Sequence, residues 1–211
     1  MLYQLKKSLV FFLTLCFSMA VNSSNHRDDY KDAFKLLLAS SFGPTEHELI
    51  VLKNKGTSSW VEHQITMPPT FHYPMYLSSE QYENQIRREY VWWQIVTESP
   101  DQLRQRTAFA LSQIFVVSRF GGLGKFPDSL ASYYDVLVQH AFGTFRDLLQ
   151  DVTLHPSMGK YLSLMGSKKS DVEKGRFPDE NYAREVMQLF TLGLYQLNVD
   201  GSVKVANGET I

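Results

Sequence analysis

The chain has 211 residues, 44% of them hydrophobic and 20% charged, which excludes a disordered polypeptide and suits one folded domain or part of a larger one. Its 21 basic and 22 acidic residues leave a formal net charge of −1, so bulk attraction to nucleic acid or to an anionic membrane is not expected.

In chain order, the first pattern is one of export. Lys6 and Lys7 precede the apolar run Leu9–Phe17, and Ser18-Met19-Ala20 follows with small residues where a signal peptidase reads. The run is shorter than the ~20 apolar residues a membrane span needs. Residues 1–20 therefore read as a signal peptide, 21–30 as a flexible segment, and 31–211 as a helical domain, itself the incomplete N-terminal part of a longer one. Cleavage after Ala20 removes Cys16, the only cysteine, and with it any disulfide, thiolate metal site or cysteine nucleophile. The expected location is periplasmic or secreted, with no transmembrane span after cleavage.

A short helix through Ala33, Phe34 and Leu36–Leu38 ends at Phe42-Gly43-Pro44. Thr45 with Glu48 forms a capping box for a helix that Gly56 stops, and Ser59 with Glu62 repeats the device. Met67-Pro-Pro-Thr70 reads as an extended linker. Ser78 or Ser79 starts a longer helix through Tyr82, Ile86, Tyr90, Trp92, Trp93 and Ile95. Pro100 then suits the first position of a helix from Leu103 to about Ser118. The second half of that helix, Ala108–Val117, is apolar on nearly every side and reads as the buried centre of the fold. Gly121–Gly124 lacks the ending of a phosphate loop. Asp128 or Ser129 caps a helix carrying Leu130, Tyr133, Tyr134, Leu137 and Val138. Thr144 with Asp147 caps the next, with Phe145, Leu148, Leu149 and Val152 on one face. His155-Pro156 bends the chain into a short helix, and Gly166–Gly175 is a polar, mobile loop. A helix over 179–193 follows. Beyond Gly193, Tyr195, Leu197 and Val199 alternate with polar residues and lead through Asp200-Gly201 to Val203 and Val205, a hairpin. The predicted fold is mainly α: a multi-helix array around a buried central helix, with a β-hairpin near the C-terminal end.

Several stretches resemble the domain-of-unknown-function 1800 family of exported bacterial proteins. They are Phe42–Thr45, Trp92-Trp93, Leu103–Phe115, Leu130–Tyr134, Ala141–Leu149, His155–Gly159 and Pro178–Gly193, in order across most of the mature chain. The resemblance implies a mostly helical exported protein whose members are usually longer, and it implies no reaction.

Candidate chemistry is therefore read from the residues alone. On the 179–193 helix, Asn181, Arg184, Glu185 and Gln188 share one face, while Tyr182, Ala183, Val186, Leu189 and Phe190 share the other. The polar stripe is a solvated face or a site floor, with Glu185 as base or ligand, Arg184 as anion clamp and Asn181 as orienting donor. Arg106, on a helix read as buried, needs a carboxylate, with Glu185, Asp151 and Asp135 as possible partners. His155, beside Pro156, reads as a helix cap or core partner ahead of a catalyst. No histidine pair has zinc-binding helical spacing and no serine lies in a nucleophile elbow, so neither a metal nor a cofactor is expected. The preferred reading is an exported envelope protein that binds a partner or assists other envelope or secreted proteins. Its rivals are a hydrolase-like enzyme of unknown substrate using Glu185, Arg184, Asn181, Arg106 and His155, and a polysaccharide-binding module using Tyr90, Trp92, Trp93, Tyr133 and Tyr134.

Overall fold

The computed structural model describes residues 30–80, 84–120 and 122–210. The signal pattern, residues 21–29, residues 81–83 with Tyr82, and Gly121 lie outside the described residues. The chain divides into two compact units, Met1–Met67 and Pro68–Ile211, and it is mainly α-helical with a small antiparallel hairpin near its end.

In the first unit, helix α1 spans 30–40, α2 Glu46–Lys55 and α3 Thr57–Thr66. The Thr45 side chain caps α2 by accepting the Glu48 N–H at 3.2 Å. Gly56, with φ of 81°, donates its N–H to Leu52 and ends α2. The same glycine immediately precedes α3, so the expected cap at Ser59 is displaced: Ser59 lies inside the first turn and α3 has no side-chain cap. Leu49 and Leu52 of α2 and Trp60 of α3 are buried.

The second unit opens with a helix that the sequence reading did not expect, α4 (His72–Ser78). Ser79, expected to start the next helix, instead ends α4. Next come α5 (Asn84–Glu98), α6 (Gln102–Ser112), α7 (Pro127–Gln139), α8 (Phe145–Leu154) and α9 (Pro156–Tyr161). The central position belongs to α7, which packs against α4, α5, α6, α8 and α9. Its Pro127 occupies the first turn, where a missing N–H costs nothing. Leu130, Tyr133, Leu137 and Val138 fall on its buried side, as their spacing predicts. Tyr133, Leu137 and Val138 join Ala108, Phe115, Leu148, Val152 and Met158 in one apolar cluster.

The expectation for α6 needs correction. It stops at Ser112 instead of Ser118, and Ile114 and Val116 are exposed although Ala108 and Phe115 are buried. Phe115 beyond the helix end is tied down by its carbonyl, which accepts the Tyr133 hydroxyl at 2.7 Å. In the first turn of α6 the buried positions are polar: Gln102, Arg104 and Gln105, with Asp101 just before them.

The last segment is loosely covered. Helix α10 spans Asn181–Met187 and continues into one wide π-helical turn, Gln188–Leu192, closed by Gly193 at φ of 77°. The wide turn rotates the face relative to a regular helix. Tyr182 and Phe190 reach the core, whereas Leu189 and Ala183, expected beside them, are exposed. The predicted hairpin forms around Asp200-Gly201 with Leu197 opposite Val203. A second, shorter hairpin pairs β1 (Val205–Ala206) with β2 (Glu209–Thr210). No helix among the described residues is long and apolar enough to cross a membrane.

Candidate functional site

The polar face at the start of α6 organises a buried cluster. Asp101 and Gln105 are both 0% exposed. The Asp101 carboxylate accepts the Thr70 N–H at 2.9 Å and the Gln105 amide at 3.1 Å. Gln105 also donates to the Thr70 carbonyl at 2.9 Å. Both hydrogens of that amide thus face acceptors, which turns its oxygen toward His72 Nε2, 3.0 Å away. Nε2 must then carry the proton, so His72 is held as the neutral Nε2–H tautomer with its Nδ1 lone pair unprotonated. Burial pushes the His72 ring down to about 4, against the Gln105 hydrogen bond and the Asp101 charge, and Arg88 pushes the same way as burial. Tyr134 stands edge-on to the imidazole, centroids 4.5 Å apart.

The main chain of the same segment is held from α7. Asp135 accepts the His72 N–H at 2.6 Å and the Tyr73 N–H at 2.9 Å, supplying from another helix the cap that Phe71 cannot give α4. Burial pushes Asp135 up to about 6, against those two hydrogen bonds. Arg104, largely buried, lies 3.9 Å from Asp101 and reaches the Val138 carbonyl, with its guanidinium over the Phe142 ring at 4.7 Å. Gln102 donates to the carbonyls of Val96 and Ser99, closing the end of α5. At the entry to α4, the N–H and carbonyl of Thr70 and the N–H groups of His72 and Tyr73 are thereby met by the side chains of Asp101, Gln105 and Asp135.

The residues singled out from sequence lie elsewhere. Arg106 is half-buried with its guanidinium 5.5 Å from the Phe109 ring. Of the carboxylates weighed for it, Asp135 serves the main chain of α4 and Asp151 meets His140 at 2.7 Å. Glu185 is half-buried, and its Oε2 is enclosed without a hydrogen-bond partner. Arg184 pairs with Glu180 at 2.8 Å on an exposed surface, and the Asn181 N–H is accepted by Asp179.

His155 both ends α8 and caps α9: its Nδ1 accepts the Ser157 N–H at 3.1 Å. Its other nitrogen, Nε2, is 3.2 Å from the Ser132 hydroxyl. With Nδ1 accepting, Nε2 carries the hydrogen and donates to Ser132. A base that activates a serine needs the reverse tautomer. Burial also lowers the His155 pKa. Ser129 and Ser157 complete the contact at 2.7 Å, pinning the α8–α9 bend to α7.

Of the rings weighed for stacking sugars, Tyr90 and Trp93 are exposed one turn apart on α5, Trp92 and Tyr134 are half-buried, and Tyr133 is in the core. No group of three His, Cys, Asp or Glu among the described residues is placed to hold a metal ion.

The model of the family described as a protein of unknown function (DUF1800) matches residues 35–208. The chain belongs to that family. No curated protein and no solved structure matches it. The DUF1800 match takes in the whole His72–Asp101–Gln105–Asp135 cluster, which the sequence reading passed over. A signal was present: Asp101, Arg104, Gln105 and Ala108 follow i, i+3, i+4, i+7 spacing, a core stripe whose first three positions are polar. Their partners in Thr70–Tyr73 are some 30 residues away and have no pattern of their own.

Proposed function

We propose that this DUF1800 protein is an exported protein of the bacterial envelope that binds an extended segment of a partner polypeptide along its C-terminal hairpin. The free outer edge of the first hairpin strand carries this reading. Asn198 donates to Ser202 and Lys204 to Gln196, both at 2.8 Å, so Leu197 and Val203 form a pair whose own main-chain groups point away from each other. The N–H and C=O of Leu197 face outward, and Tyr195, Leu197 and Val199 are exposed. An open edge with apolar side chains in alternation fits strand addition, in which main-chain bonds give affinity and alternate side chains give selectivity. Leu189, Leu192 and Leu194, just before the strand in sequence, are exposed as well. The export half rests on the Lys6–Ala20 pattern.

Binding is tested with a heptapeptide alternating threonine and valine, followed through the amide resonances of Tyr195–Val199, beside a copy N-methylated at alternate residues. Shifts with the parent and none with the methylated copy are expected. Equal shifts with both, or with neither, contradict strand addition. Export is tested by sequencing the N-terminus of the mature protein from a periplasmic fraction, where Val21 is the expected first residue. Retention of Met1 in the cytoplasm contradicts it.

A further inference from the structure

The bend between α8 and α9 is tied to α7 by a small network of hydrogen bonds. The Ser157 hydroxyl donates to the Ser129 carbonyl at 2.9 Å, so the Ser129 hydroxyl donates to Ser157 Oγ. Ser132 spends its hydrogen on the same carbonyl at 3.1 Å, which leaves its oxygen free only to accept, and what faces that oxygen is His155 Nε2. The other ring nitrogen, Nδ1, accepts the Ser157 N–H at the start of α9. Both neighbours thus demand one arrangement of the ring, a hydrogen on Nε2 and a lone pair on Nδ1. We propose that the α8–α9 bend is a latch that acid opens: a second proton on His155 takes the lone pair that caps α9, and the ring then has to leave Ser157 and Ser132.

The surroundings give that proton no partner. The ring is half-buried, with Tyr133 of α7 edge-on to it, centroids 5.2 Å apart, and the Tyr133 hydroxyl already donates to the Phe115 carbonyl. The charged side chains nearest along the three helices are occupied elsewhere or exposed. Asp128 of α7 is exposed and Asp135 serves α4. Asp151 of α8 meets His140, and Lys160 of α9 lies over the Phe126 ring at 4.4 Å. Burial alone displaces the ring from the ordinary histidine value, and it does so downward. The carbonyls that end α8 favour a cation, but the two ring nitrogens are turned to Ser157 and Ser132 instead.

The unfolded chain protonates this histidine near the ordinary 6.5, and the folded chain only below that. The latch therefore stabilises the fold in full above about pH 6.5, and its contribution is lost as pH falls below that value. The loss begins locally. Pro156 has no N–H, so Ser157 offers the first main-chain donor of α9, and His155 is its acceptor. Ser157 is fully buried, so its N–H gains no easy substitute from water. The bonds between Ser129 and Ser157 do not involve the ring and survive its protonation. Acid thus loosens the capped end of α9 and leaves Met158 in the core.

NMR of the whole chain over a pH series tests this. At neutral pH the His155 ring is expected as the Nε2–H tautomer, and it should titrate below the ordinary histidine value. As it takes up its proton, the protection of the Ser157 N–H against hydrogen exchange should fall about fivefold, the worth of one helix cap, while the middle of α7 keeps its protection. His155→Asn keeps a side chain suited to an N-cap but cannot titrate, so in that variant Ser157 protection should no longer follow pH. An Nδ1–H tautomer, a ring that titrates at or above the ordinary value, Ser157 protection that survives the titration, or an H155N chain whose Ser157 still loses protection in acid would each overturn the proposal. The first three are read on the unaltered protein, so a variant that fails to fold leaves the test standing.

Discussion

The α6–α9 region and the α10–hairpin region are built from equally apolar sequence, yet they end up oppositely covered. In the first, Leu137, Val138, Val152 and Met158 are completely enclosed. In the second, from Asn181 to Thr210, only Tyr182 and Phe190 are buried, and Leu192 is 81% exposed. The difference shows that periodicity fixes which residues share a helix face, while burial depends on whether another element packs there. Phe190 reaches the interior because the wide turn at Gln188–Leu192 aims it at Phe115, ring centroids 5.1 Å apart. The hairpin beyond it has no such anchor.

The contrast can be broken from the enclosed side first. Asp101→Ala strips the acceptor from Thr70 and Gln105 and leaves the largely buried Arg104 guanidinium without the carboxylate 3.9 Å away. A global loss of about 3–5 kcal/mol in urea unfolding is expected. Phe190→Ala tests the tether. Its cost should fall at the low end of the about 3–5 kcal/mol typical of buried phenylalanine, and the loss should be local. Amide exchange should speed up in Asn181–Leu192 while α7 keeps its protection. Thr144→Ala removes the side chain that accepts the Asp147 N–H at the start of α8 and should cost about 1 kcal/mol in the same unfolding assay. Leu192→Ser, on the exposed surface, should change stability by less than about 0.5 kcal/mol while reducing the binding of a hydrophobic dye.

Sequence was a good guide where the cause is local. Thr45 and Thr144 cap the helices their capping boxes announce, Gly56 stops α2, and the Leu130–Val138 pattern buries the side of α7 it predicts. It failed where the cause is tertiary. Helix α4 follows a Pro-Pro pair and lacks a cap of its own, and Asp135, more than 60 residues on, provides one. The apolar run after Ala108 leaves the helix at Ser112, where the Ser112 hydroxyl turns back to the Phe109 carbonyl and Tyr133 holds Phe115. The wide turn at the end of the 179–193 helix is not legible from 3.6-residue spacing, which places Ala183 and Leu189 on the buried face although both are exposed. The cluster around His72 has no apolar stripe to mark it, since its core positions are polar.

The central claim is that polar side chains of α6 and α7 hold the main chain of Thr70–Tyr73 inside the second unit. Amide hydrogen exchange of the intact protein tests it most directly. The N–H groups of Thr70, His72 and Tyr73 are predicted to exchange as slowly as those in the middle of α7, although Thr70 lies outside any helix and the other two in a first turn. Exchange at the rate of an open loop at these three positions would contradict the account.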